Sequence, residues 1–136
     1  MLTEVNFLAV VAAALAPMVI GGIWYGPLFG KLWMSAHGYT PERLEEMKKG
    51  MGKAYGLSFV CYLVMATVLA ILIAWLGAAN VWTGLCLAFY CWLGFAATTG
   101  MTAHLFSDRK LSAYLIDVAY QLVYMLAMGA ILGTWR

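Results

Sequence analysis

The chain has 136 residues, of which 65% are hydrophobic and only 10% charged, with a formal net charge of +2. A soluble domain carries about 25% charged residues, so this chain cannot cover a water-facing surface, and lipid must take the excess apolar area. The length allows one compact unit, and the charge is too small to argue for a nucleic-acid partner.

Four apolar segments, near residues 5–25, 55–76, 81–103 and 111–133, reach the length of about 20 residues that a hydrocarbon core requires. Lipid offers no water to backbone groups, so helices are expected, and the runs lack the alternation of a transmembrane barrel. The expected fold class is all-α: a single four-helix transmembrane bundle over residues 1–136, with a short amphipathic helix in its first loop. In the first segment Ala14-Leu15-Ala16 resembles a signal-peptide cleavage site. The only charge before it is Glu4, whereas a signal needs a positive start, so the segment reads as a retained helix. Asn6 suits a cap or an interhelical hydrogen bond. Pro17, Gly21 and Gly22 predict a kink or a close helix contact.

Gly26-Pro27 is expected to stop the first helix, opening a long loop over 26–54. There Phe29, Leu32 and Trp33 alternate with Lys31 in a pattern that suits a membrane interface. "TPERLEEMKKG" reads as a short helix with Thr40 as N-cap and Pro41 first. Its acids come early and its lysines late, matching the helix dipole, and Glu45 and Lys49 make an i,i+4 pair. "GAAN" (77–80) and "SDRK" (107–110) are short links that force antiparallel hairpins. Lys31, Arg43, Lys48, Lys49, Lys53, Arg109 and Lys110 lie in the 26–54 and 104–110 loops, against Arg136 alone on the other side. The positive-inside rule then makes both loops cytoplasmic and both termini external, for a multi-pass protein of the inner (plasma) membrane.

Most of the six tryptophans and eight tyrosines suit interfacial belts. Cys61, Cys86 and Cys91 all lie in apolar runs and read as buried, inert thiols without disulfide or metal spacing. Gly129 with Gly133, the run Gly22, Gly26, Gly30, and Ala96 with Gly100 have the small-xxx-small spacing of close helix contacts.

The polar residues inside the spans are the functional candidates. Asp117 stands about six residues into the fourth helix, roughly 9 Å from its cytoplasmic end at 1.5 Å per residue. An ionisable group at such depth marks a functional site by default. Tyr62, Thr98 or Thr99, Trp24 and Tyr25 fall at comparable depth, so the four helices can gather them in one layer. Tyr114, Asp117, Gln121 and Tyr124 are spaced 3, 4 and 3 and share one stripe, which should face protein rather than lipid. His104 is a candidate proton relay or metal ligand for Asp117, or an interfacial residue stabilised by its helix dipole; His37 carries less information. No phosphate loop, nucleophile with histidine, paired acids or HExxH is present. No catalytic residue, metal ligand or cofactor is therefore assigned.

"GGIWYGPLFGKLW" (21–33), "TPERLEEMKKGMGKAY" (40–55) and "LIDVAYQLVYMLAMGAILGTW" (115–135) together resemble a group of small bacterial and fungal membrane proteins, domain-of-unknown-function family 1761. The resemblance covers nearly the whole chain and implies a four-span protein, but it supplies no activity. It matches the family's early Asn to Asn6, its Trp-Tyr element to Trp24 and Tyr25, and its fourth-helix acid to Asp117. Small multidrug-resistance transporters are similar in size but keep their carboxylate in the first helix. Membrane-associated eicosanoid and glutathione enzymes hold their thiol cofactor with bundle arginines, which this chain lacks. The expected function is binding or passage of a small solute or proton through a polar pocket around Asp117, in a homo-oligomer within the bilayer. The alternatives are a membrane enzyme acting on a lipid-like substrate and a structural or partner-binding bundle.

Overall fold

The structure, a computed structural model, describes residues 6–37, 40–77, 80–107 and 110–135. Expectations placed on Glu4, Arg109 and Arg136, and on the side chains of His37 and Lys48, fall outside what it describes. Helix α1 (Phe7–Ile23) runs on through a π-helical turn, Trp24–Leu28, and is followed by α2 (Gly30–His37) and α3 (Pro41–Lys48). The long helix α4 spans Met51–Leu76. Helix α5 (Val81–Cys91) passes through a second π-helical turn, Trp92–Ala97, into α6 (Thr98–Leu105), and α7 covers Leu111–Thr134. Four of these stretches, Phe7–Leu28, Met51–Leu76, Val81–Leu105 and Leu111–Thr134, are long and apolar enough to cross a membrane. The fold is an all-α membrane bundle.

One expectation about the first span is corrected. Gly26-Pro27 does not end it: the helix widens to π geometry, and Phe29 N donates to Trp24 O, five residues back, at 2.8 Å. Proline lacks an N–H, and its ring clashes with the carbonyl four residues earlier in an α-helix. A π turn shifts the partners by one residue and makes room. Pro17 lies inside α1 and is buried, and the close helix contact foreseen near it is made with α7. The loop after the first span is also more ordered than expected, since Gly30–His37 is helical.

Caps set the other ends. The Asn6 side chain accepts from the backbone N–H of Leu8 (3.0 Å) and Ala9 (3.3 Å). Asn80 does the same for Thr83 at 2.8 Å at the start of the third span. Thr40 accepts from Arg43 N at 3.2 Å with Pro41 as the first residue of α3, as its sequence requires. Arg43 also pairs with Glu46 across an exposed i,i+3 step. Gly77 closes α4 at φ 73°, a left-handed conformation that suits glycine.

Helix α7 is the hub. It packs most extensively on α5, then on α1, and also touches α4 and α2, while α4 leans on α1. The second span meets the third lightly, in its 81–91 half. Buried positions are small on the outer helices, as at Ala9, Ala13, Ala66 and Ala88, with Ile73, Met128 and Leu132 filling between them. Large apolar side chains such as Leu8, Val19 and Val64 point outward. This distribution suits a lipid solvent, in which close packing rather than hydrophobic exclusion holds helices together. The closest approach joins α5 and α7. A Cβ at Gly84 would overlap the Gly129 carbonyl, and one at Gly133 would overlap the Asn80 carbonyl. Of the small-xxx-small runs, Gly129 and Gly133 thus make a helix contact, whereas Gly22 and Gly26 face open space. Cys61 is exposed rather than buried, because it stands on the outward face of α4.

Candidate functional site

Asp117 lies half-buried on α7 among aromatic donors. Tyr25 Oη donates to its Oδ1 at 2.5 Å, and Trp33 Nε1 donates to the same oxygen at 3.1 Å. Each donor depends on the local backbone described above. The π turn keeps Tyr25 on the first span, and α2 folds back on α7 to deliver Trp33. The two rings meet edge to face, centroids 5.6 Å apart. Among the described residues no basic side chain lies within 4.0 Å of Asp117.

One turn further along α7, Tyr120 Oη donates to the carbonyl of Pro17 at 2.6 Å and lies 3.2 Å from Tyr62 Oη. A proline at residue i leaves the carbonyl at i−4 without its helical partner. The Pro17 carbonyl itself takes a side-chain donor from across the bundle. Gly21 admits the Tyr120 ring, since a Cβ there would stand 2.9 Å from its hydroxyl. Tyr124 continues the row, its ring 4.9 Å from Tyr120 and 5.3 Å from Tyr62.

Two tryptophans brace α7 around Asp117. Trp24 Nε1 donates to the carbonyl of Ile116 at 3.1 Å, and Trp92 Nε1 donates to that of Val118 at 3.0 Å. Each tryptophan opens a π-helical turn, and each stands two residues before a glycine, Gly26 or Gly94. The first and third spans therefore grip the fourth from two sides through similar devices, at the residues directly before and after the acid.

Beside this cluster, farther along α7, a groove of about 720 Å³ opens between the second, third and fourth spans. Met65 and Leu69 of α4, Phe95 and Thr99 of the third span, and Gln121 and Met125 of α7 are among its walls. It exists because α4 and the 92–105 stretch diverge. Its rim residues Val64 and Phe95 are 58% and 73% exposed. Among the described residues neither acid nor base lines it, and Gln121 is the one side-chain amide there. That amide makes no hydrogen bond with another described residue.

The expected single layer is therefore divided. Asp117, Tyr25, Tyr62 and Tyr124 gather with Tyr120, and Trp24 braces them from the first span. Gln121 and Thr99 belong to the groove, which Tyr124 also borders. Thr98 is exposed and its hydroxyl bonds the Gly94 carbonyl of its own helix at 2.7 Å. Tyr114 donates to the Ala97 carbonyl at 2.6 Å and stacks on His104 with centroids 5.2 Å apart. That pair ties the third span to the fourth, one turn away from Asp117. Sequence reasoning passed over Trp33, Tyr120 and Trp92. Tyr120 was within reach, since it stands three residues after Asp117 and four before Tyr124. Among the described residues no three His, Cys, Asp or Glu side chains gather to hold a metal ion.

Comparison with curated proteins and with solved structures gives no match. A family model does match, over residues 8–133 and so across all four spans, the acid, the bracing tryptophans and the groove: the chain belongs to the family described as protein of unknown function (DUF1761).

Proposed function

We propose that this protein binds a small, largely apolar solute within the membrane, in the groove between its second, third and fourth spans. The observation that carries the proposal is Gln121. An amide deep in an apolar span, left without a partner among the described residues, costs free energy in hydrocarbon, and here it lines a cavity within the range of roughly 300–1,000 Å³ usual for small-molecule sites. A bound solute that hydrogen-bonds the amide removes that cost. Asp117 has a different part in this reading. It accepts both of its donors from the first span and α2, so it latches them to α7 and holds the back wall of the groove. Passage of a proton or solute through Asp117 itself draws no support from the groove, which the acid does not line.

The same proposal places the chain in the plasma membrane, as a homo-oligomer with the 26–54 and 104–110 loops cytoplasmic and both termini outside. Thr99→Trp tests the binding site, because Thr99 is exposed and its replacement would fill the groove. Native mass spectrometry of the purified protein should show a discrete small-molecule adduct on the parent chain and none on the variant, at equal helical content. Adducts of equal occupancy on both, or none on either, would count against the proposal.

A further inference from the structure

Resting on the groove-binding reading above, we infer that the groove takes an uncharged amphiphile with a single apolar chain. Its head lies beside Gln121 and Thr99, and its tail runs toward Met125 and Met128.

The charge class follows from the walls. None of the described residues lining the groove is acidic or basic, and an unpaired charge buried in an apolar site is costly. Asp117, the acid at similar depth, spends its Oδ1 on Tyr25 and Trp33. An anionic head finds no cation in the groove and a cationic head no anion. A primary amide carries two donors and an acceptor that takes two bonds, so Gln121 matches a neutral head of either polarity, such as an alcohol or an amide.

The shape class follows from the dimensions. The wall residues run from Cys91 to Ala103 on the third span and from Val64 to Leu72 on the second. At 1.5 Å per residue these are about 18 Å and 12 Å. With an advance of about 1.3 Å per carbon in an extended chain, roughly a dozen carbons fit along the groove. The cavity volume gives the same answer: at about 30 Å³ per water-sized group, it holds roughly two dozen such groups, one chain and its head but not a two-tailed lipid. Polarity falls along the groove, with Thr99 toward the 106–110 end and Met125 and Met128 toward the other. Methionine is unbranched and polarizable, and conforms to a flexible chain.

Cys91 lines the groove and reports its occupancy. In a Cys61→Ala, Cys86→Ala background in phosphatidylcholine nanodiscs, the rate of Cys91 alkylation by N-ethylmaleimide would be followed with lauramide, laurate or dodecyltrimethylammonium added. Lauramide should slow alkylation at several-fold lower concentration than the two charged probes. Gln121→Leu, close in size and content in hydrocarbon, should weaken the lauramide effect roughly three- to fifteen-fold, the range for one hydrogen bond within a membrane. Its probe-free alkylation rate, equal to the parent's, certifies an intact groove. Equal protection by all three probes, or a preference untouched by Gln121→Leu, overturns the neutral-head inference and leaves groove binding standing. Protection by none of the probes overturns both.

Discussion

Replacing Asp117 separates an acceptor from a chemical group. Its Oδ1 holds two side-chain donors, the Tyr25 hydroxyl and the Trp33 indole. Asp117→Asn keeps an oxygen at that position, and an amide oxygen can accept both bonds. Asp117→Leu keeps the volume, removes the acceptor and leaves two donors unanswered. Interhelical hydrogen bonds in membrane proteins average about 0.6 kcal/mol and reach about 1.7 kcal/mol. Two such bonds put the cost of the leucine variant at about 1–3 kcal/mol. The asparagine variant loses only the extra strength that a carboxylate acceptor gives, in total about 1 kcal/mol or less. The assay is reversible unfolding in mixed micelles, followed by tryptophan fluorescence, with the solute-binding readout taken on the folded fraction. The leucine variant should also free α2, because Trp33 is the side chain of α2 that bonds the acid. Limited proteolysis within 30–50 should therefore accelerate in it and not in the asparagine variant. Asparagine proving as damaging as leucine would refute the acceptor role. Asparagine folding normally yet losing solute binding would show that the acid does chemistry the latch does not explain.

Other outcomes follow from the contacts. Gly84→Ala drives a Cβ into the Gly129 carbonyl, an overpacked backbone contact that should cost about 1–3 kcal/mol. Gly22→Ala meets nothing within 4 Å and should be neutral or stabilising by up to about 1 kcal/mol; the same unfolding assay compares the two. Tyr120→Phe strips the Pro17 carbonyl of its hydroxyl donor and should cost about 1 kcal/mol, with hydrogen exchange rising in the first span around residue 21. Trp92→Phe removes one of the two indole braces on α7 and should destabilise by a similar amount, loosening the Tyr25–Asp117 contact that the brace keeps in place. A double-mutant cycle of Trp92→Phe with Tyr25→Phe should therefore depart from additivity by about 0.5 kcal/mol or more.

The four spans were legible because lipid imposes a length and a composition on any chain that crosses it, and both can be read residue by residue. The caps were partly legible for the same local reason: Thr40 and Asn6 precede helical runs, and their side chains answer the nearest backbone donors. Rotation was not legible. Tyr114, Asp117, Gln121 and Tyr124 look like one stripe, but at about 100° per residue the stripe is about 80° wide. A helix surrounded by three others can divide such a width between neighbours, and α7 does so, sending Asp117 toward the first span, Tyr114 toward the third and Gln121 into the groove. The π turns were hidden for a related reason. Gly26-Pro27 is a stop signal in an α-helix, and only the register change, made where Trp24 can bond α7, turns it into part of a span. Trp33 was missed because nothing local announces that Gly30–His37 folds back on α7.

The division of α7 also explains why a carboxylate and an amide stand only four residues apart in so apolar a helix. They are separated by about 40° around the axis, so a small rotation of α7 would exchange their surroundings. The indoles of Trp24 and Trp92 bond the carbonyls directly before and after Asp117, from two different spans. Bonds from two directions resist rotation in a way that either alone would not. On this argument the π turns serve the groove at a distance: by fixing the rotation of α7, they keep Asp117 on its donors and Gln121 on the cavity wall.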